Sequence, residues 1–474
     1  MERLPILGNH DEPFELFEEE SGSSHPERAR QERYIREYPL PKEVRQSLSK
    51  EQLQLLGHLI RAARRIDDLF GIQESEDFSF WPERIGESEI EAAAQSNSDI
   101  KSPYTVVRRN NEGDLVAIPV HVVFQDLIRE TRIADSLEEA AHIARKGKFK
   151  DLQLSLYLKA RSQAFNNGNW EYSESLWLPI GSDSKIMAVI GPYDNYLDPL
   201  KRKYAWESWV GVLDVETTET VRDYKERFLN WLGEETDEVV PKVAVRVDHT
   251  VIMSGQAAKY KWTGNSLPCQ AELRREYGSV FTIFKPVFED RLKHETLPTF
   301  RLIIDPSHRF GVTNEMIREV ELKMSTGHEI GHSKVAQGIE QRLGGSSAWV
   351  KELFCNLLSL KGILALAESK REAGIALALA FVNAFLDFKS NQIDGSRYDY
   401  FVADCIMLNY CLEKRVVDIN EGRLSYNSTE GAQITSELFD EIDQMQENGA
   451  RVNSHWLFRN YYQPEVFSRF APGS

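Results

Sequence analysis

The chain has 474 residues, of which 41% are hydrophobic and 28% are charged, and its formal net charge at pH 7 is −17. This length and composition suit a globular protein of one large or two ordinary domains. A nucleic-acid partner requires a basic face, so the acidic balance argues against one. The four cysteines form no CxxC pair and the first residues lack a signal-peptide pattern, so we expect a cytoplasmic protein with free thiols.

The first half of the chain mixes predicted helices and strands. Residues 1–48 are acidic and then mixed in charge, which predicts a flexible or loosely docked arm. Residues 49–70 carry apolar side chains at helical spacing, which predicts an amphipathic helix. The pattern at 106–124 is partly strand-like, a short apolar run lies at 186–193, and strands are predicted at 206–215 and 239–253. Helical patterns lie at 137–145, 152–165 and 219–232.

Helices dominate the second half. Segments 281–288 and 300–304 are strand or loop candidates, and from Thr313 onward the pattern is mainly helical. The longest apolar run, near 375–386, contains Asn383 and is too short to span a bilayer, so it predicts a core helix and no membrane partner. The helices predicted after the metal-binding pattern described below are 349–366, 372–388 and 398–413.

These patterns predict an α+β, mainly α fold with two lobes. Residues 49–245 are predicted to form a mixed α/β lobe, and residues 246–474 a mainly helical lobe that carries the catalytic site. A cleft between two such lobes is the natural place for a substrate. The sequence does not predict an oligomeric state.

Residues 328–332 read His-Glu-x-x-His. On a helix, residues i and i+4 share one face, so His328 and His332 can present two imidazole nitrogens to one Zn²⁺. Glu329 lies one step round that helix, where a carboxylate can act as general base on a metal-activated water. The alternative interpretation is a helix surface with two solvated histidines.

A third protein ligand is predicted on a following helix. The second histidine is followed by nineteen residues and then Glu352. We predict that the first helix continues over 335–343, that Gly344-Gly345 ends it, and that Ser346 or Ser347 caps the next helix. Two antiparallel helices joined this tightly would place Glu352 over the histidines, which is the gluzincin spacing. The alternative for Glu352 is an exposed helix carboxylate.

Five stretches together resemble the dipeptidyl peptidase III-like metallopeptidases, most closely the shorter group with a five-residue zinc motif. The Gly-Pro-Tyr run and the zinc pattern, in this order, make the resemblance specific, and it spans residues 49–470. We find no nucleotide-hydrolase signature, although some family members are fused to such a domain. The five stretches are residues 49–70, residues 160–177, the run Ile-Gly-Pro-Tyr-Asp-Asn-Tyr-Leu-Asp at 190–198 with its continuation at 204–211, the zinc pattern with Glu352, and Asn-Tyr-Cys-Leu-Glu-Lys at 409–414.

The resemblance implies a two-lobed, zincin-type metallohydrolase with a helical zinc lobe and a mixed helix and strand lobe around a cleft. Members of the family remove dipeptides from the N-termini of peptides. His328, His332 and Glu352 match the family's zinc ligands, and Glu329 matches its general base. The implied cofactor is Zn²⁺, and the implied partner is a peptide or small-molecule substrate.

Three residues depart from the family's pattern. Asn356 stands where the family has an acidic residue that supports a zinc histidine, and an amide does not raise ligand basicity as a carboxylate does. Cys269 is the best match to an asparagine that helps to hold the peptide. Tyr400 takes the place of a histidine that donates to the transition state. A phenol can donate to an oxyanion; the alternative for Tyr400 is a packed helix aromatic.

Three functions therefore stay open at this point. The first is a zinc-dependent hydrolase of the dipeptidyl peptidase III type, with Glu329 as general base. The second keeps the zinc site for a non-peptide amide, ester or lactone, or for Lewis-acid chemistry in a specialised pathway, because Cys269 and Tyr400 are changed. The third is a non-catalytic binding protein on a peptidase scaffold, against which the retained Glu329 counts.

Overall fold

The structure is a computed structural model that describes residues 34–146, 150–180, 184–233, 243–394 and 398–470. The arm predicted for residues 1–48 therefore lies outside the described residues as far as residue 33. Residues 34–48 contain a strand that joins the central sheet and a short helix. All elements named below belong to these described ranges.

Ten strands are described, and most of them are short. Six form one sheet, and the other four form two separate hairpins. In chain order the strands are β1 (Ile35–Glu37), β2 (Thr105–Arg109), β3 (Leu115–Pro119), β4 (Ile186–Tyr193), β5 (Ala205–Leu213), β6 (Val243–Gly255), β7 (Gly264–Leu267), β8 (Ser279–Phe284), β9 (Val417–Asn420) and β10 (Arg423–Tyr426).

Helices make up most of the described chain. The first eleven are α1 (Lys42–Gln46), α2 (Lys50–Gln73), α3 (Glu87–Ser96), α4 (Val120–Val123), α5 (Gln125–Thr131), α6 (Ile133–Arg145), α7 (Leu152–Asn167), α8 (Trp170–Trp177), α9 (Val215–Trp231), α10 (Gln256–Tyr260) and α11 (Ala271–Tyr277). The remaining ten are α12 (Lys285–Arg291), α13 (Leu297–Ile303), α14 (Pro306–Arg309), α15 (Asn314–His332), α16 (Ile339–Leu343), α17 (Ser347–Leu366), α18 (Lys370–Asp394), α19 (Tyr398–Glu413), α20 (Ser428–Asn448) and α21 (Arg451–Tyr461).

The central sheet is mixed. Strands β4, β5 and β6 run antiparallel in turn, β8 pairs parallel with the first half of β6, and β1 pairs with the second half of β6 along the same edge. Strand β7 pairs antiparallel with β8 and is the last strand on that side. Thus β7 is an edge strand, and the Ser266 carbonyl on its outer side accepts a hydrogen bond from Arg274 (2.9 Å).

Two hydrophobic cores confirm the predicted α+β, mainly α, two-lobed architecture. One core surrounds α2, α6 and α7 against β4 and β5, and the other surrounds the helices from α15 onward. Strand β6 contributes to both cores, with Val245 and Val247 in the helical core and Ile252 and Met253 in the mixed core. The predicted boundary between residues 245 and 246 falls inside this shared strand.

Most predicted elements agree with the structure, and the starts of two helices show why. The predicted helix at 49–70 is α2, and the Ser49 hydroxyl accepts from the backbone N–H of Gln52 (3.2 Å) while the Gln52 side chain accepts from that of Ser49 (2.9 Å). Helix α15 begins where the Thr313 hydroxyl accepts from the N–H of Met316 (3.2 Å). Local capping chemistry therefore fixes where the helix that carries His328 begins.

Three local predictions were wrong. Segment 300–304 is mainly helix α13, because Leu297, Phe300 and Ile303 are buried at helical spacing. The first zinc-site helix does not continue over 335–343: α15 ends at His332, and α16 starts only after Gly338, whose φ is 71°. The expected serine cap is also missing, since the N-cap Ser346 makes no side-chain hydrogen bond to the described residues at the start of α17.

Helix α18 is the one described helix that is apolar and long enough to cross a membrane by length and composition alone. In the protein, 67% of its most apolar window, within Lys370–Gln392, is buried. Its side chains from Ile375 to Leu386 contribute to the helical core. This burial agrees with the core helix predicted near 375–386.

Candidate metal centre

The centre is built on two antiparallel helices, α15 and α17, that approach closely at two glycines. A Cβ atom added at Gly327 would lie 2.7 Å from Ser359 Oγ, and one added at Gly331 would lie 2.9 Å from the Cα of Cys355. Such distances exclude a larger side chain without a shift of one helix. The glycines therefore allow the contact that brings Glu352 over the histidine pair, as the sequence predicts.

Three predicted ligand atoms converge between these helices. The Nε2 atoms of His328 and His332 lie 3.1 Å apart, and Glu352 Oε2 lies 3.3 Å from the first and 3.8 Å from the second. Tetrahedral zinc with bonds of about 2.0–2.1 Å separates neighbouring ligand atoms by about 3.3–3.4 Å. The spacing of these three atoms therefore fits three corners of a zinc tetrahedron.

The Glu352 carboxylate also fits a cation by its hydrogen bonding. Its Oε2 atom is buried and accepts no hydrogen bond from any residue in the described ranges. Burial alone would raise the pKa of Glu352, but the two imidazoles hold it below its usual range. Burial likewise opposes a charge on His328, yet the Glu352 and Glu329 carboxylates raise its pKa to about 9. The centre thus favours a positive charge, and the donor set of two imidazoles and one carboxylate suits Zn²⁺.

Glu329 faces the same centre from the helix of the histidines. One of its carboxylate oxygens lies with nitrogens of His328 and His332 in a group whose atoms are all within 4.8 Å of one another. Two carboxylates therefore flank the imidazole pair. Glu352 Oε2 lies 3.3 and 3.8 Å from the two Nε2 atoms, as a third ligand would.

Each histidine has a different partner on its other nitrogen. His328 Nδ1 lies 2.7 Å from Oδ1 of Asn356, and Nδ2 of that asparagine donates to Oδ1 of Asp404 at 2.8 Å. His332 Nδ1 lies 3.4 Å from the buried thiol of Cys355. The predicted contact of Asn356 with His328 is present, and the Asp404 carboxyl group lies one hydrogen bond beyond Asn356.

Tyr400 lies beside the centre. Its ring stacks on that of His328 with centroids 6.2 Å apart and an interplanar angle of 28°, and the residue lines the cleft. The structure therefore brings the predicted oxyanion donor next to a predicted ligand. Asp404 lies one helical turn later in α19.

The centre opens into a cleft of about 520 Å³ lined by both lobes. One wall is the edge strand β7 with the residues around it, and the opposite wall is formed by α15, α17, α18 and α19. Six carboxyl side chains and three cationic side chains line it, so the cleft is acidic. They are Asp194, Glu321, Glu329, Glu352, Asp387 and Asp404 on one hand, and Arg274, Arg291 and Lys351 on the other.

Cys269 lines the cleft but its thiol is already engaged. Its Sγ atom donates to Oδ1 of Asp194 at 3.1 Å, and burial together with this carboxylate raises the pKa of the thiol well above its ordinary value. Glu207 lies behind this pair, fully buried, and accepts from Gln256 (3.1 Å) and Asn265 (3.3 Å). The structure thus places Cys269 in the cleft, facing a buried carboxylate rather than open space.

Sequence reasoning missed several residues of the cleft. Asp194 lies in the quoted Gly-Pro-Tyr run, so its neighbours could have indicated it. Asp404 lies on α19, which is distant in sequence from α15 and α17, and no local pattern marks it. An aromatic wall formed by Tyr196, Tyr260 and Trp262, whose ring centroids lie 5.3–6.3 Å apart, was not predicted. No local pattern marks it, because Tyr196 is distant in the chain from Tyr260, at the end of α10, and from Trp262, just after it.

These observations define a class of protein with a two-lobed, mainly α fold, in which a helical candidate metal centre faces a small mixed sheet. This is the fold of dipeptidyl peptidase III. The solved structure of DPP III from Caldithrix abyssi matches with a TM-score of 0.76 and 18% identity, covering 91% of this chain and 93% of that chain. Dipeptidyl-peptidase III from Corallococcus sp. strain EGB matches with a TM-score of 0.72 and 18% identity, covering 90% of each chain. The resemblance predicted from five stretches is therefore confirmed at the level of the fold.

Sequence comparison alone gives a weaker result. No family model matches the chain. Nudix hydrolase 3 from Arabidopsis thaliana is 22% identical over 209 residues, which are 42% of this chain and 26% of that protein. The chain thus spans about a quarter of the length of this curated relative.

Proposed function

We propose that the protein is a zinc-dependent hydrolase of the dipeptidyl peptidase III type. The observation that carries this proposal is the convergence of His328 Nε2, His332 Nε2 and Glu352 Oε2, at 3.1, 3.3 and 3.8 Å from one another, with the Glu329 carboxylate beside them. Three ligands with one open position are the arrangement of a catalytic rather than a structural zinc site. Four free cysteine thiols are consistent with the cytoplasmic location that we expect for it.

Zinc, when bound there, supplies a Lewis acid that makes water more acidic and polarises a carbonyl group. Glu329 accepts the proton of the attacking water and returns it to the leaving amine, as a general base and then a general acid. Tyr400 lines the cleft and its ring stacks on that of His328; in this proposal it donates its hydroxyl to the oxyanion that develops on the substrate carbonyl. The Asn356 amide holds His328 in the orientation that the ligand role requires.

An extended peptide is the substrate that best suits the wall opposite the centre. Because the N–H of Phe284 donates to the carbonyl of Thr263 (2.9 Å), the alternation of an antiparallel ladder turns the backbone of Gly264 and Ser266 away from β8, toward the cleft. The outward Ser266 carbonyl already accepts from Arg274 (2.9 Å), so we expect an extended peptide to bind as an added strand through the outward N–H of Ser266 and the backbone of Gly264.

The direct test of the mechanism is the substitution Glu329→Gln. Because the glutamine keeps the shape of the side chain but cannot accept a proton, we expect one zinc per chain and a fall in kcat of at least about 10²–10⁴-fold. Zinc is measured by elemental analysis, and turnover by release of 2-naphthylamine from dipeptidyl-2-naphthylamides. Full activity in this variant would exclude the assigned role of Glu329.

A second candidate keeps the zinc and changes the substrate. It is favoured by Cys269, whose thiol donates to Asp194 where the family pattern has an amide that holds the peptide. The site would then act on a non-peptide amide, ester or lactone, or supply a Lewis acid in a specialised pathway. A panel of dipeptidyl-naphthylamides decides between the two: clear dipeptide release argues against the second candidate, and none across the panel argues for it.

A non-catalytic binding role on the same scaffold is the third candidate. A pure binding protein has no need of a general base, so the position of Glu329 beside the centre counts against it. Native protein with well under one zinc per chain would favour this role.

A further inference from the structure

Behind the metal centre, a buried carboxyl group is joined to a predicted zinc ligand by one amide. His328 Nδ1 lies 2.7 Å from Asn356 Oδ1, and Asn356 Nδ2 donates to Asp404 Oδ1 at 2.8 Å. We propose that Asp404 is a positioning residue for the metal centre and that it acts on His328 through Asn356. This inference rests on the proposed zinc-hydrolase function, and it assigns Asp404 a role that no sequence pattern indicates.

The link to Asp404 fixes the direction of the Asn356 amide. A primary amide offers an acceptor at one end and two N–H donors at the other, and rotation by half a turn exchanges them. Asp404 Oδ1 accepts a hydrogen bond, so it holds the NH₂ end of Asn356 toward α19. The carbonyl end must then face His328.

The direction of this amide sets the tautomer of His328. Since Asn356 Oδ1 can only accept, the neutral, metal-binding form of His328 carries its proton on Nδ1 and offers Nε2 to the metal. That Nε2 atom lies 3.3 Å from Glu352 Oε2 and 3.1 Å from His332 Nε2, at the point where the ligands converge. Without Asp404, the amide would be free to turn its donors toward the ring and to favour the wrong tautomer.

The link to Asp404 also affects the strength of the hydrogen bond between Asn356 and His328. Hydrogen bonds in series polarise one another, and the effect is larger in a buried environment. Asp404 is 3% exposed and belongs to a stretch of α19 in which Val402, Ala403, Cys405 and Ile406 are all buried. The hydrogen bond from Asn356 Nδ2 to Asp404 polarises the amide in the direction that makes its oxygen a stronger acceptor for His328.

The other histidine provides an internal comparison. His332 Nδ1 lies 3.4 Å from the thiol of Cys355, and a thiol is a weak partner for an imidazole N–H. Of the two zinc histidines, His328 is therefore the one that is held firmly. We therefore expect the loss of Asp404 to weaken zinc binding mainly through His328.

The test is the zinc affinity of metal-free protein, measured by competition with a chromophoric chelator, which requires no turnover. Asp404→Asn keeps the volume of the side chain but lets it face Asn356 with either end. We expect its zinc affinity to fall by about 10–100-fold, the usual effect of losing a partner of a metal ligand. Glu321→Gln is the matched control, because it removes another buried carboxyl group of the cleft that contacts Asn383 rather than Asn356; its affinity should stay within about threefold.

An exchange variant keeps the test decisive if the single substitution disturbs folding. In Asn356→Asp with Asp404→Asn, the carboxylate accepts from His328 directly and the new amide stands behind it, so the pair of groups is conserved. We expect zinc affinity to return to within about threefold of the wild-type value. A cobalt-substituted sample should regain the wild-type visible spectrum at the same time.

The outcomes separate this inference from the proposed function. Tight zinc binding by the wild type with no change in Asp404→Asn, or an equal loss in Glu321→Gln, would overturn the role of Asp404 and leave the hydrolase proposal standing. Tight zinc binding that depends on Asp404 in a protein that hydrolyses none of the substrates would support the positioning role and overturn the hydrolase. A wild type that binds no zinc would overturn both.

Discussion

Glu352 lies between two imidazole rings, buried, and its Oε2 atom accepts no hydrogen bond from the chain as far as the structure describes it. A buried acceptor in this state costs stability unless a cation or donor meets it. In their neutral, metal-binding forms the two histidines would not meet this need, because each would turn the lone pair of its Nε2 atom toward the same point. A metal ion satisfies all three groups at once, which is the physical reason for the metal-centre assignment.

Tyr400→Phe tests the oxyanion role of the phenol. The phenylalanine keeps the ring that stacks on His328 but removes the hydroxyl, so we expect kcat to fall by about 10²-fold with little change in KM or zinc content. Steady-state kinetics with a dipeptidyl-naphthylamide checks this. Tyr398→Phe, on the exposed side of the same helix, is the control and should leave kcat unaltered. A kcat within about threefold of wild type would show that Tyr400 serves packing instead.

Among the individual site residues, those whose positions depend on local spacing were predicted from the sequence. His328, Glu329 and His332 follow from one helical turn. Glu352 was predicted from its spacing after His332, but the tight turn assumed for it was wrong, because α16 lies between the two helices. Asp404 and the aromatic wall come from elements distant in sequence, so no local pattern brings them to the centre. Asn356 was predicted to touch a ligand, but its link to a carboxylate required the position of α19.

The close contact of α15 and α17 sets the distance between Glu352 and the histidines. Gly331→Ala would place a methyl group 2.9 Å from Cys355 Cα, so we expect a loss of about 1–3 kcal/mol in the free energy of unfolding and weaker zinc binding. Denaturant unfolding and chelator competition measure the two effects.

Gly57→Ala is the matched control for this helix glycine. Its added methyl group would meet only the end of the Arg61 side chain, at 3.9 Å, so helix propensity should stabilise the protein by about 0.5–1 kcal/mol. Equal stability of the Gly331→Ala and Gly57→Ala proteins would contradict the packing account.

Asp214 joins two elements that support the sheet, because it caps α9 and pairs with Lys285 at the start of α12. Burial alone would raise the pKa of Asp214, but hydrogen bonds from Lys285 and Thr217 outweigh it and lower the pKa below the ordinary 3.8. A lowered native pKa means that this stabilisation is present above about pH 4 and is lost as the pH falls through the native value.

Asp214→Asn keeps the cap but removes the ion pair. We expect it to cost about 1–3 kcal/mol at pH 7, between the values of exposed and buried pairs, and progressively less as the pH falls below 3.8. Urea unfolding of both proteins at pH 7 and near pH 3 measures the difference. The same cost at both pH values would contradict this account.

Strand and helix positions were largely predictable, because they follow the period of apolar residues and the capping residues at their ends. The pairing of the strands was not. The parallel contact of β6 with β8, and the addition of β1 from the N-terminal segment to the far half of β6, join residues that are distant in the chain. The wrong prediction at 300–304 has the same origin, since the buried face of α13 is visible only with its neighbours present.

In the whole molecule, both lobes line the cleft, and we expect the substrate to contact both β7 and the metal centre. Ser266→Pro removes a backbone N–H that faces the cleft rather than β8, which an edge strand tolerates. We expect KM for dipeptidyl substrates to rise about tenfold, the value of one hydrogen bond, with zinc content unchanged. Ser266→Ala keeps the N–H and is the control. An unchanged KM in the proline variant would argue against binding of the peptide as an added strand.

The central claim is that one zinc ion held by His328, His332 and Glu352, with Glu329 as base, performs the hydrolysis. Its most direct test is a zinc titration of chelator-treated protein while the release of 2-naphthylamine from a dipeptidyl-naphthylamide is followed. We expect activity to be absent without metal, to rise linearly and to reach its plateau at one equivalent of zinc per chain. Activity that persists without metal, or zinc that binds at one equivalent without restoring hydrolysis of any substrate in the panel, would contradict the account.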